Sequence, residues 1–361
     1  MHMRRIILAV LPLAVLLLSC KPDTGGGRDT ISLVKYIATD TASPEHALLA
    51  SFAKVPASGD ISLVGTPDAC ARISRDFVEC DVFENARGRD WGDGLKDFAG
   101  ETFASICDPQ LPCGDERLRE LAVRYALAAL SRKCNSSVYD LDGSLEKTPA
   151  KIIILADPCL LEKGKFDIDT LFSLTGCKVP VLSPHQLLFD AALGGDKKYF
   201  NCGLICDTLY MNNGICQSLF QTRAAEHNIM GAKCFTSATS LKGGVLSGFL
   251  DSYTAAGHTE VLNALLVDDW NVDMKELNNE LLAIRDFNRE EHFRYGKLLA
   301  PDFMVFSAAE LTMSSCYKLL RDHGLFTHRI SQPESIRYVV KPRPDSDGSQ
   351  FLLIPFENVQ D

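Results

Sequence analysis

The segment Lys151-Ile-Ile-Ile-Leu-Ala156 is apolar without interruption after its first residue. A strand with one wet face alternates polar and apolar side chains. An unbroken run therefore marks a strand covered on both faces, as in a parallel sheet flanked by helices. Parallel neighbours need crossovers of a dozen residues or more, and the rest of the chain supplies them. Asp60-Ile-Ser-Leu-Val-Gly65 reads as another strand, stopped by Gly65 and Pro67, and residues 179–182 as a short one. Helical patterns occupy 115–133, with an acidic opening and a basic end, then 168–174 and 186–193. From Tyr199 the pattern restarts. Strands at 199–205, 232–236, 262–267 and 303–306 alternate with helices at 214–227, 245–256, 274–287 and 310–323.

The expected fold is α/β, with two Rossmann-like lobes of mainly parallel sheet over residues 30–195 and 196–361, divided at the turn-rich segment 194–198. Three local expectations accompany it. Residues 30–37 read as a strand followed by a helix at 44–55, and residues 101–106 as the beginning of a helix. Residues 336–342 and 350–355, around Asp345-Ser-Asp-Gly348, read as a C-terminal β-hairpin of the second lobe.

The N-terminus has a different character. Arg4 and Arg5 precede an apolar stretch, residues 6–18, that is too short to span a bilayer and ends in Leu17-Leu18-Ser19-Cys20. This segment resembles the lipobox cut by the bacterial lipoprotein signal peptidase. The resemblance implies a signal peptide over 1–19, lipidation of Cys20 and a flexible tether over 20–29 containing Gly25-Gly26-Gly27. It also implies a location in the cell envelope, anchored by lipid at a periplasmic or outer-membrane face.

A formal charge of −10 excludes the basic patches that nucleic acid demands and electrostatic adhesion to anionic lipid. Of thirteen cysteines, twelve remain beside Cys20, an even number that permits disulfides in an oxidising compartment. The short-range candidates are Cys70 with Cys80 and Cys107 with Cys113, whereas Cys159, Cys202, Cys206 and Cys234 sit in apolar runs and read as buried thiols. The spacing Cys202-x3-Cys206-x9-Cys216 is not that of a zinc site, so no metal and no cofactor is expected.

In open α/β sheets, ligands bind beyond the carboxyl ends of the strands. That rule nominates Asp40, Thr66, Asp68, Asp157, Ser183 and His185 in the first lobe. In the second it nominates Asp207, Tyr210, Asn212, Ser237, Asp268, Asp269, Trp270, Ser307 and Glu310. Asp268-Asp269-Trp270 reads either as two carboxylates beside a stacking indole or as an acidic loop with Trp270 turned inward. The loop 237–244 reads either as an anion cradle or as a plain helix cap.

The junction Val181-Leu-Ser-Pro-His-Gln-Leu-Leu-Phe-Asp190, the strand Tyr199-Phe-Asn-Cys-Gly-Leu-Ile-Cys-Asp207 and the segment Pro301-Asp-Phe-Met-Val-Phe-Ser-Ala-Ala-Glu310 resemble the lobes of type I periplasmic binding proteins, the substrate-binding components of ABC-type uptake systems. The resemblance implies a small polar ligand held between hinged lobes for uptake or sensing, with a permease or other membrane partner. No G-x-S-x-G, G-x-x-x-x-G-K-[ST] or H-E-x-x-H motif is present, which favours a binder over an enzyme. The alternatives are a metal-dependent hydrolase using Asp40, Asp68, Asp157 and His185, and a non-catalytic docking lipoprotein.

Overall fold

A computed structural model describes residues 28–83, 96–195, 199–238, 244–344, 346 and 350–359. The signal segment and Cys20 lie outside the described residues, as do residues 239–243 of the 237–244 loop and residues 196–198 of the 194–198 boundary segment. Residues 31–361 form a single unit.

Helices α1 (Ser32–Thr39) and α2 (Pro44–Ala50) precede β1 (Asp60–Gly65), α3 (Pro67–Glu79), β2 (Thr102–Cys107) and α4 (Arg117–Leu130). A small antiparallel pair follows, β3 (Lys133–Cys134) with β4 (Leu145–Glu146). β5 (Ala150–Leu155), α5 (Pro158–Lys163), α6 (Lys165–Thr175), β6 (Val181–Leu182) and α7 (Pro184–Leu193) come next. The second lobe runs β7 (Asn201–Cys206), α8 (Thr208–Asn212), α9 (Ile215–Glu226), β8 (Lys233–Ala238) and α10 (Val245–Ala255). It continues through β9 (Leu262–Val267), α11 (Met274–Arg285), α12 (Glu290–Tyr295), β10 (Leu299–Ser307) and α13 (Ala308–Asp322). The chain ends in the hairpin of β11 (Glu334–Pro342) and β12 (Phe351–Pro355).

The sheets are ordered β12-β11-β2-β1-β5-β6 and β10-β9-β7-β8, parallel except for β12. The expected two-lobed α/β fold is the one observed. β5 is buried along its whole length, as its unbroken apolar run requires.

Local expectations needed correction in several places. Residues 30–37 hold helix α1, not a strand, because Val34 and Ile37, three apart, share the buried face. Residues 101–106 hold most of β2, every residue of which is buried between β1 and β11. The hairpin forms, but β11 pairs in parallel with β2, so the C-terminus returns to the first sheet. Neither short-range disulfide exists. Cys113 bonds Cys159, tying the approach to α4 onto α5, while ten other cysteines are free and buried among the described residues. Cys70 and Cys80 stand along one helix, ten residues and about 15 Å apart by helical rise, too far to bond.

The lobes do not part at a hinge. One core cluster runs from Val64, Ile153 and Leu155 through Phe189 of α7 and Phe220 of α9 to Leu204 and Leu266 of the second sheet. A second places Cys316 and Leu320 of α13 against Ile61, Leu63, Ile152 and Ile154 of the first. Separating the lobes bodily would expose both clusters to water.

The return of the chain to the first sheet is anchored by charge. Lys151 in β5 and Glu101 before β2 are fully buried, with Nζ 2.5 Å from Oε2. Lys151 also donates to the Leu325 carbonyl at 2.7 Å and the Ala57 carbonyl at 2.8 Å, while Glu101 accepts the Thr327 N–H at 2.8 Å. Removing one partner strands the other charge in the core. Lys151→Met should therefore cost about 3–5 kcal/mol in urea unfolding. A loss below about 1 kcal/mol would show that the pair is dispensable.

Asp60, at the start of β1, is raised from 3.8 to about 7, chiefly by burial. Between these values the unfolded chain has lost a proton that the folded one keeps. This group's contribution is thus full below about pH 4 and is lost as pH rises through about 7. Asp60→Asn should flatten the fall in stability across that window, and an unchanged slope would refute the assignment.

Candidate functional site

The carboxyl ends of β1, β5 and β6 face those of β7 and β9, and polar side chains of both lobes meet there. β1 ends in Gly65, where a Cβ would lie 2.2 Å from Asp157 Oδ2, so the missing side chain lets the strands approach. Thr66 then caps α3, and its N–H donates to Asp157 Oδ2 at 2.6 Å while its hydroxyl reaches Oδ1 at 3.3 Å. Asp157, after β5, has no exposure to solvent and also accepts the hydroxyl of Tyr210 from α8 of the second lobe. Burial raises the Asp157 carboxyl, and the bonds from Tyr210 and Thr66 only partly offset it. Burial and the adjacent carboxylate push the Tyr210 phenol far up, so the hydroxyl stays protonated.

A second pair lies beside the first. Ser183 and His185 enter α7, and His185 Nε2 is 3.1 Å from Asp268 Oδ2, with both side chains 4 % exposed. Asp268 follows β9 and is held by its own N–H donating to the Ile205 carbonyl at 2.8 Å. Cys216, near the start of α9, places Sγ 4.0 Å from the same Oδ2. A hydrogen bond with Cys206, burial and the Asp268 charge, in that order, push the Cys216 thiol up. The His185 and Tyr210 rings stand edge to face with centroids 6.4 Å apart. Ser183 Oγ and His185 Nδ1 are buried without a hydrogen-bond partner among the described residues.

The outer edge of the cluster is an ion pair between lobes, Arg72 of α3 to Asp207 at 3.1 Å, with both partners part-exposed. Burial opposes ionisation of Asp207, but the Leu209 N–H and Arg72 outweigh it and hold the carboxyl below its ordinary value. Arg72, His185, Asp207, Tyr210, Asp268, Asp269 and Trp270 line a crevice of about 20 Å³, room for one water.

Of the fifteen strand-end candidates, Thr66, Asp157, Ser183, His185, Asp207, Tyr210, Asp268, Asp269 and Trp270 converge on this seam. Trp270 takes the inward alternative, its ring 6.5 Å from Phe77 against the first-lobe core. Asp269 is engaged by the Asn271 N–H at 2.8 Å. The other six stand elsewhere. Asp40 follows helix α1, where the sequence suggested a strand end, and accepts the Ala42 N–H at 3.1 Å. Asp68 and Asn212 are exposed on helices. Ser237 lines a separate groove between β8 and α10, and Ser307 caps α13 by accepting the Glu310 N–H at 3.3 Å.

Arg72 escaped the sequence reading, and Cys216 entered it only within a cysteine spacing that was set aside as a zinc site. Arg72 lies mid-helix with no local signal. Cys216 follows the left-handed Gly214 at a helix start, a position at which a thiol meets free N–H groups.

No family model matches the chain, and no curated protein matches it. Solved structures to which the chain is similar include glutamate racemases. One, from Francisella tularensis subsp. tularensis SCHU S4 in complex with D-glutamate, is 12% identical with a TM-score of 0.41 over 79% of this chain and 89% of that one. An isoform from Bacillus anthracis is 14% identical with a TM-score of 0.42 over 78% and 89%. A third, from Campylobacter jejuni subsp. jejuni, is 11% identical with a TM-score of 0.36 over 80% and 93%.

These neighbours are racemases and not periplasmic binding proteins, which overturns the binding-protein resemblance. The reading as an uptake or sensing lipoprotein falls with it, as do the hydrolase and docking alternatives and the permease and membrane partners. The shared core agrees, since it opposes the hinge motion that resemblance implied.

Gly65→Ala should cost about 1–3 kcal/mol, because Asp157 must move off its Thr66 and Tyr210 bonds. Thermal or urea unfolding reads this directly, and a neutral substitution would show that Asp157 has slack.

Proposed function

We propose that the chain is an enzyme moving a proton on a small zwitterionic substrate, of amino-acid size, at the seam between its lobes. The observation that carries this reading is the pair of carboxylate-anchored groups, Tyr210 on Asp157 and His185 on Asp268, facing one crevice with rings 6.4 Å apart. A carbon acid between them would meet a proton donor on one side and a base on the other, the arrangement needed to remove a proton and return one. Tyr210 keeps its proton in the hydrogen bond to Asp157, whose buried carboxyl is itself raised and can resupply it. Charge supports the substrate class. Asp207, Asp268 and Asp269 line the crevice beside Arg72, so a molecule bearing both an ammonium and a carboxylate finds a partner for each.

Entry requires the outer ion pair to open. Exposed pairs of this kind are worth about 0–1 kcal/mol, so Arg72 and Asp207 can part while the shared core holds the lobes together.

The test is exchange of the α-proton of L- and D-amino acids in deuterium oxide, followed by proton NMR. Wild-type protein should exchange at least one of them, and Tyr210→Phe and His185→Asn should each slow it by about 100-fold or more. Absence of exchange across the panel, or full activity in both variants, would sink the reading.

A further inference from the structure

We infer that His185, Cys216 and Asp268 form a binding site for a borderline-soft divalent ion of the zinc type. Their ligand atoms, one nitrogen, one sulfur and one oxygen, all lie within 4.8 Å of one another and are buried. A tetrahedral ion with bonds of about 2.0–2.3 Å holds its donors roughly 3.3–3.7 Å apart. The observed separations bracket that range, at 3.1 Å from His185 Nε2 to Asp268 Oδ2 and 4.0 Å from Cys216 Sγ to the same oxygen. The third edge, from the His185 ring nitrogen to Cys216 Sγ, lies within 4.8 Å, so side-chain shifts of at most about an ångström would complete the triangle.

The donor set decides the ion. Magnesium and calcium take oxygen ligands, whereas mixed imidazole and thiolate suit zinc or cobalt. A fourth position faces the crevice lined by His185 and Asp268, which has room for one water. The proton balance also closes. Cys216 releases its thiol proton to solvent on binding, and a neutral His185 ligating through Nε2 carries its proton on Nδ1, the atom now without a partner among the described residues.

His185 comes from the first lobe, whereas Cys216 and Asp268 come from the second, so the ion would clasp the two. It would also take His185 and Asp268 away from proton transfer. On the proposed function, occupancy therefore switches the acid–base site off, but binding itself does not depend on that reaction.

The experiment is a titration of the chelator-stripped full chain with Co2+, followed by absorbance. One equivalent should bind, with a thiolate-to-cobalt charge-transfer band in the near ultraviolet that Zn2+ displaces. Cys216→Ser should abolish the band, while Cys206→Ser, which leaves the three ligands in place, should keep it. Asp268→Asn retains every thiol and should weaken Co2+ by at least about tenfold; it decides the matter if Cys216→Ser fails to fold. No uptake by wild type, a band surviving in Cys216→Ser, or unchanged affinity in Asp268→Asn would overturn the site. Failure of the amino-acid exchange assay with the cobalt band intact would remove the proposed reaction and leave the metal site standing.

Discussion

An ammonium group cannot remain in a dry core without acceptors, and Lys151 converts that constraint into architecture. Its position in β5, a strand buried on both faces, places Nζ where no water reaches. The acceptors are Glu101 from the approach to β2 and the carbonyls of Ala57 and Leu325. The last belongs to the segment that leaves α13 and returns as β11. Fixing that segment brings β11 alongside β2, which completes the first sheet and holds α13 over its face. Lys147 solves the same problem with neutral acceptors, donating to the Ala129 carbonyl at 2.8 Å at the end of α4, where the helix dipole also favours a cation.

The same economy governs the seam. Parallel strands direct their carboxyl ends to one side, so two such sheets facing each other concentrate loop residues and helix starts in a small volume. Burying Asp157, His185 and Asp268 there is unfavourable unless each is bonded. Thr66 and Tyr210 satisfy Asp157 across the lobe boundary, and His185 satisfies Asp268. The remaining unpartnered atoms, Ser183 Oγ and His185 Nδ1, lie at the start of α7 within this cluster. Structure alone needs no such arrangement, because apolar groups of the same shape would close the seam at lower cost. That excess of buried polarity motivates a chemical role.

Rigidity and access are divided between the two sides of the lobe boundary. The cluster through Phe189 and Phe220 is apolar and continuous, whereas the Arg72–Asp207 side is polar and partly wet. Any motion that admits a ligand therefore falls on the crevice side, where the rim opens and the facing His185 and Tyr210 rings part while the apolar cluster holds.

The alternation of apolar runs and helical patterns determined the α/β class and most strands, because hydrophobic periodicity is a local property that survives in any context. The rule of strand carboxyl ends likewise found Thr66, Asp157, His185, Asp207, Tyr210 and Asp268 before their contacts were known. What depended on partners was invisible. Residues 30–37 have an apolar pattern compatible with strand or helix, and only packing of Val34 and Ile37 on the core chose the helix. Cys113 found Cys159 rather than Cys107 because a disulfide depends on distance in space, which spacing in the chain does not encode. Arg72 and Cys216 joined the site, and the final hairpin joined the first sheet, through contacts between segments far apart in sequence. The sequence by itself determined most of the elements and the ends at which chemistry would gather; the tertiary structure decided which ends met, since burial and pairing of charge are settled only when distant segments share the same dry space.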